Sequence, residues 1–140
     1  MLSGISARDI ALSGMRAQRV RMTITANNLA NVNTTRTPDG GGAFLRQVPL
    51  FRGERIRHGA PREMVGVRVK RIMTDRSPLR SVYEPNHPDA NEEGYVEYPN
   101  IDAAVEMANL IAAQRAYEAN IAVLASGARM HQRALDIIQQ

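Results

Sequence analysis

Residues 101–138, IDAAVEMANLIAAQRAYEANIAVLASGARMHQRALDII, decide the fold. The stretch is rich in alanine and free of proline. It sets Met107, Leu110, Gln114, Tyr117, Ile121, Leu124, Ala128, His131, Leu135 and Ile138 at alternating steps of three and four. That period draws one stripe down a helix, and the alanine content agrees with it. Pro99-Asn100 stops whatever precedes, and Asn100 or Asp102 is placed to cap the first turn. At about 1.5 Å per residue the rod is about 57 Å long. A compact domain of this chain length has a radius of gyration of about 14 Å. Such a rod needs another helix along its side.

The N-terminal stretch offers that helix. Over 1–33, Ile5, Leu12, Met15, Met22, Ala26 and Leu29 fall at steps of 7, 3, 7, 4 and 3, again one face of a helix. Asn27, Asn28, Asn31 and Asn33 then crowd together with Thr34, Thr35 and Thr37. Their side chains compete for backbone hydrogen bonds, so the helix should end near there. Pro38-Asp39-Gly40-Gly41-Gly42 completes the break.

Between the helices the periodicity changes. Val65, Val67 and Val69 alternate with Gly66, Arg68 and Lys70, a half-buried strand. Phe44–Val48, Leu79–Tyr83 and Tyr95–Tyr98 are shorter candidates, and Pro49 and Pro78 limit them to short or edge strands. Three or four such strands in one sheet are expected. Residues 84–94, with two prolines and no periodicity, read as a loop. The expected fold is mainly α with a small β insert. The N- and C-terminal helices form a coiled coil (1–36 and 100–140), and a short-stranded β and loop region (37–99) lies outside it. Neither stripe carries a large aliphatic side chain at every position: Arg19, Gln114 and His131 interrupt them, and alanine fills several others. A seam this weak favours folding on assembly.

The charge is unevenly spread. Residues 1–80 hold 15 basic groups and 5 acids, a net of +10, whereas residues 81–140 hold 3 basic groups and 9 acids, a net of −6; together they give the formal +4. Either the basic part meets an anionic partner, or it meets the acidic part of a neighbouring or the same chain. A nucleic-acid-binding module built on the Arg-rich middle is the competing function. Against it, no aromatic side chain interleaves with the nine basic residues of 52–80 for base stacking, and no helix-turn-helix pattern is present.

Several classes drop out. With no cysteine in 140 residues there is no disulfide scaffold, thiolate metal site or cysteine nucleophile. No apolar run approaches the roughly 18 residues of a membrane helix, and Arg8, Asp9, Arg16 and Arg19 break any secretory h-region. His58, His87 and His131 lie in three different regions. His87 with Asp89, Glu92 and Glu93 matches no metal-binding spacing and reads as a solvated turn. Gly40-Gly41-Gly42 is not followed by a phosphate-loop lysine. No catalytic residue, cofactor, metal or small-molecule substrate is expected.

Three stretches together resemble the axial proteins of the bacterial flagellum, the basal-body rod family. They are Ala26-Asn27-Asn28-Leu29-Ala30-Asn31-Val32-Asn33-Thr34, preceded by Ala17-Gln18-Arg19; His87-Pro88-Asp89-Ala90-Asn91-Glu92-Glu93-Gly94-Tyr95-Val96 running on to Tyr98-Pro99-Asn100-Ile101-Asp102; and Arg115-Ala116-Tyr117-Glu118-Ala119-Asn120. The second stretch is similar to the proximal-rod branch of that family, the FlgC type. Most axial relatives follow the Asn motif with a T-x-G-aromatic step. Residues 34–44 replace it here, as that branch tends to do, and the basic stretch 52–63 is the least matched part.

The resemblance implies a structural subunit of the proximal rod, its terminal helices lining a torque-transmitting shaft. It implies helical assembly with copies of itself and other rod proteins, with the membrane ring and an export-gate adaptor as further partners. Export would use the flagellar type III apparatus, without a cleaved signal peptide. Expected subunit-packing positions are Leu12, Met15, Met22, Asn27, Asn28, Leu29 and Asn31 on the first helix, and Leu110, Tyr117, Asn120, Ile121, Leu124, Leu135 and Ile138 on the second. Met15, Met22 and Leu29 would meet Tyr117, Ile121, Leu124 and Leu135. The three asparagines would either bond neighbouring chains or cap their own helix.

Overall fold

A computed structural model describes residues 7–55 and 65–138. Two helices, α1 (Ala7–Ala30) and α2 (Ala103–Ile138), enclose four strands in sequence: β1 (Gln47–Arg55), β2 (Val65–Thr74), β3 (Arg80–Tyr83) and β4 (Tyr95–Tyr98). Ile5, His58 and residues 56–63 of the basic stretch 52–63 lie outside the described residues. No described helix is long and apolar enough to cross a membrane.

Helix α2 starts where the sequence places its cap. Asp102 Oδ1 accepts the N–H of Ala104 at 2.8 Å and of Val105 at 3.2 Å, answering donors the first turn leaves open. Asn100, the other capping candidate, serves the β region instead. Its Oδ1 accepts the Arg46 N–H, and its amide donates to the Asp75 and Ser77 carbonyls. Helix α1 ends at Ala30, three residues before the end of the stretch 1–33 that reads as helix. The Asn31 side chain donates to the Asn27 carbonyl at 2.9 Å, and Thr34 bonds back to Asn31. The asparagine cluster closes the helix by local bonds.

The strands form two separate antiparallel pairs, β1–β2 and β3–β4, in place of the single sheet expected. Helix α1 accounts for much of the separation, because it takes up edge groups of the first pair. Asn28 grips both backbone groups of Gln47 at the outer edge of β1. The Ser13 hydroxyl accepts the Val67 N–H at the outer edge of β2, at 3.1 Å. The helix thus runs diagonally across the ribbon and covers edge sites where another strand could add. The strand expected at Phe44–Val48 begins later and continues through Pro49 to Arg55. Gln47 turns its N–H away from β2, so Pro49, two residues on, has its missing donor on that same outer side and costs no ladder bond. A bulge between Leu50 and Phe51 lets Lys70 loop out of register.

The second pair is short and pinned by aromatics. Tyr83 and Tyr95 meet edge to face with centroids 5.2 Å apart, and Arg80 lies over the Tyr98 ring. The Tyr98 hydroxyl donates to Glu84, a bond that raises its pKa. Gly94 ends the connecting loop at φ +81, where a Cβ would lie 2.8 Å from the Tyr83 ring, so a side chain there is excluded twice over.

The buried core is small. Ala11, Ala17, Ile24, Ala43, Val96, Ile101 and Ala113 are its apolar members, and Thr25, Asn28 and Glu106 are buried among the polar residues. It is centred where the C-terminal half of α1 meets the starts of β1 and α2. From there the two helices run antiparallel, as Asn28–Glu106, Arg21–Asn109 and Gly14–Asn120 contacts show.

Candidate assembly interface

The base of the helix pair is held by charge. Glu106, 1 % exposed, accepts from the Arg46 guanidinium through Oε1, at 2.8 Å from Nε and 2.7 Å from the terminal nitrogen. Its Oε2 accepts from the Asn28 amide at 3.0 Å. A buried carboxylate needs such a partner set, since losing water is otherwise costly. Asn28 also accepts the Gln47 N–H and donates to the Gln47 carbonyl. Its amide thereby imitates a peptide of a neighbouring strand. One side chain on α1, one on α2 and the start of β1 are thus fixed to each other.

Beyond that lock the inter-helix seam mixes small and polar residues with a few large ones. On α1, Gly14, Arg21 and Asn28, which meet α2, lie seven apart, and Ala11, Gln18 and Thr25 fall between them on the same line. On α2 the less exposed line is Glu106, Leu110, Ala113, Tyr117, Asn120 and Leu124. Gly14 lets the helices approach closely: a Cβ there would sit 2.9 Å from Asn120 Oδ1. Asn120 also donates to the carbonyl of Ala116. Farther along, Leu12, Val123, Leu124, Gly127, Ala128 and His131 line an apolar cleft of about 670 Å³ where the helices part.

The sequence stripe and this seam overlap without coinciding. Leu110, Tyr117 and Leu124 sit on the seam and Asn120 joins it through Gly14, whereas Met107 and Ile121, 55 % and 44 % exposed, lie one position round the helix and face outward. Leu12, Met15, Met22 and Leu29 are half-buried. Hydrogen bonds and close approach join the helices at Gly14, Arg21 and Asn28. Asn27 is exposed and Asn31 half-buried, and they bond to each other, so of the three asparagines Asn28 alone turns inward. Leu135 is exposed, and the Ile138 side chain lies outside the described residues. Sequence reasoning passed over Gly14, Arg46, Asn109 and Glu106. The signal available was Glu106 within an otherwise apolar first turn.

The histidine turn is structural: His87 Nδ1 accepts the Asp89 N–H, while Asp89 holds Thr35 and Arg36. Among the described residues no group of histidine and carboxylate side chains could hold a metal ion. The acidic loop is shaped by Asn91, whose Oδ1 accepts the N–H groups of Glu93 and Tyr95.

With this geometry in view, the comparisons are specific. Residues 9–36 match the family model "Flagella basal body rod protein", and residues 92–137 match "Flagellar basal body rod FlgEFG protein C-terminal". The chain is 40 % identical to the flagellar basal-body rod protein FlgC of Borreliella burgdorferi, over 96 % of this chain and 97 % of that one. It is 35 % identical to FlgC of Bacillus subtilis, over 97 % and 99 %, and 40 % identical to FlgC of Salmonella typhimurium, over 83 % and 84 %. The chain belongs to the flagellar basal-body rod protein family. It is of the FlgC type, and its work in the flagellar basal body is structural, not enzymatic. Nothing supports the nucleic-acid alternative. The two rod-family models fall on α1 with its asparagine turn, and on the stretch from the acidic loop through α2. Those segments meet at the Asn28–Glu106 bond. The β1–β2 ribbon lies in neither.

Proposed function

We propose that this rod subunit occupies the proximal rod, packing helically against copies of itself and other rod proteins through α1 and α2, which form a coiled-coil layer of the shaft. The single observation that carries this reading is the disposition of α2. Its inward line mixes Leu110, Tyr117 and Leu124 with Glu106, Ala113 and Asn120, while Val105, Met107, Ile111, Ile121, Val123 and Met130 are large, apolar and exposed on its flanks. A helix of 36 residues, about 54 Å long, with apolar surface on either side of its one partner suits a place among several neighbouring helices. The expected packing positions Leu12, Met15, Met22, Asn27, Leu29, Leu110, Tyr117, Ile121, Leu124, Leu135 and Ile138 belong to that layer. Asn28, Asn31 and Asn120 order the subunit itself.

The lock at Glu106 transmits load between the helices and the outer β region, so torque applied at the shaft reaches both. The membrane ring and an export-gate adaptor are further partners, and the chain leaves the cell interior through the flagellar export apparatus without losing a leader. The test is complementation. A strain lacking its own copy should regain swimming and carry this chain in purified basal bodies at unchanged N-terminal mass. Absence from basal bodies of a swimming strain would overturn the reading.

A further inference from the structure

Helix α1 covers the edges of the β1–β2 ribbon unevenly. On the β2 side Ser13 takes the outward N–H of Val67. On the β1 side Asn28 takes both backbone groups of Gln47, and Pro49 has no N–H to offer. Beyond Pro49 that edge is bare. Gln47 points its N–H away from β2, so alternation turns Phe51, Gly53 and Arg55 the same way. Val67 gives the same answer independently, because paired antiparallel residues face alike and its partner is Gly53. Among the described residues nothing accepts a hydrogen bond from these outward N–H groups.

The side chains along this edge are cationic. Arg52 and Arg68 stand directly opposite one another across the strands, both exposed, and like charges in that position repel. Glu54 reaches Arg68 at 3.1 Å, whereas no ion pair among the described residues holds Arg52. An extended segment that brings carboxylates alongside β1 answers the open donors and the repulsion together. A copy of this chain is poorly suited to supply it. Pairing β1 with the β1 of a second copy sets arginine beside arginine. The acidic pair Glu92–Glu93 lies in a turn, not in extended backbone. The ribbon also falls outside both segments that match the rod-family models, residues 9–36 and 92–137, so its partner need not be a surface that rod proteins share.

We propose that the outer edge of β1, from Phe51 to Arg55, accepts an extended acidic segment of a neighbouring basal-body protein of different sequence, as an added strand. Backbone bonds to the open edge supply the affinity, and carboxylates beside Arg52 supply the choice of partner. This rests on the rod reading above and adds a contact outside the helical layer. An anionic lipid surface would satisfy the charge but not the row of backbone donors.

Two substitutions separate this contact from a role in the fold. Phe51→Pro deletes an outward N–H without costing a ladder bond, as Pro49 already does, while Phe51→Ala keeps the donor. Phe51→Pro should enter basal bodies about tenfold less well than Phe51→Ala, with both chains unfolding at the same urea concentration. Arg52→Glu relieves the repulsion within the ribbon, so the isolated chain should unfold at the native urea concentration or above. It should nevertheless incorporate about tenfold less well. Equal incorporation of the two Phe51 variants, or native incorporation of Arg52→Glu, overturns the proposal. The photocrosslinker p-benzoylphenylalanine in place of Phe51 gives a direct readout. Irradiated basal bodies should yield an adduct to an Asp- or Glu-bearing peptide of a different chain. An adduct to a second copy or to lipid overturns the proposal. So does absence of any adduct from basal bodies that contain the chain, which leaves the rod reading intact. Absence of the native chain from basal bodies overturns both.

Discussion

Glu106 brings a negative charge into the interior, and Arg46 and Asn28 stabilise it there through bonds of 2.7–3.0 Å. Arg46→Ala strands the buried carboxylate and should cost about 3–5 kcal/mol, whereas Glu106→Ala leaves Arg46 part-exposed beside Asp75 and should cost less. The double variant should cost clearly less than their sum. Urea unfolding of the three chains checks this, and strict additivity would show that the pair is not coupled. Asp75 makes a separate prediction. The Ser77 hydroxyl and N–H, with the Arg46 guanidinium adding a smaller share, hold its carboxyl below the ordinary 3.8. A depressed folded-state pKa stabilises the protein above the unfolded value, and the effect is lost as pH falls through the folded value. Asp75→Asn should therefore flatten the fall in melting temperature below about pH 4; an unchanged acid limb would contradict it. None of these roles could be read from the sequence. Asn28 looks like its neighbours Asn27 and Asn31 because its distinguishing partners, Gln47 and Glu106, are 19 and 78 residues away, and no period links them.

At the scale of elements, the two helices, the Asp102 cap, the asparagine stop and the strands at Val65 and Tyr95 were all legible. Each follows from local chemistry acting within a few residues. The facing surface was legible only in part. Large apolar side chains mark the stripe that a helix needs to cover, and the period of Met107, Gln114 and Ile121 follows that mark. Helices approach closely where a small residue such as Gly14 allows it, and Glu106, Ala113 and the hydrogen-bonded Asn120 therefore displace those three positions by one step. The division into two strand pairs was invisible because it depends on α1 occupying strand edges through Ser13 and Asn28. Gly127 tests the reading of α2. It sits mid-helix with nothing within 4 Å of where a Cβ would lie. Gly127→Ala should stabilise the isolated chain by about 0.5–1 kcal/mol, seen as raised helicity by circular dichroism and a higher melting temperature. A loss of stability would mean that the cleft beside it is tighter than the structure shows.

For the whole molecule, the question is which surface belongs to the subunit and which to its neighbours. The interior is narrow: small side chains, one buried charge network and a short β pair stacked on tyrosines. Large aliphatic groups lie outside it, with Ile111 at 53 % and Ile121 at 44 % exposure. If these groups served the subunit's own fold, polar replacements would unfold it. If they serve adjoining helices, the same replacements would leave the fold alone and remove apolar surface from each subunit contact. Exposed sites away from the core change stability by no more than about 0.5 kcal/mol, whereas fully covering one aliphatic side chain in an interface is worth roughly 1.5–3 kcal/mol. The double variant Ile111→Gln, Ile121→Gln should accordingly unfold at nearly the native urea concentration yet be depleted from basal bodies and swim poorly. Because the loss recurs at every subunit along the shaft, even a partial weakening of each contact should be visible in assembly. A chain that unfolds early but still incorporates would reverse the assignment, placing those side chains in the service of the fold rather than of the shaft.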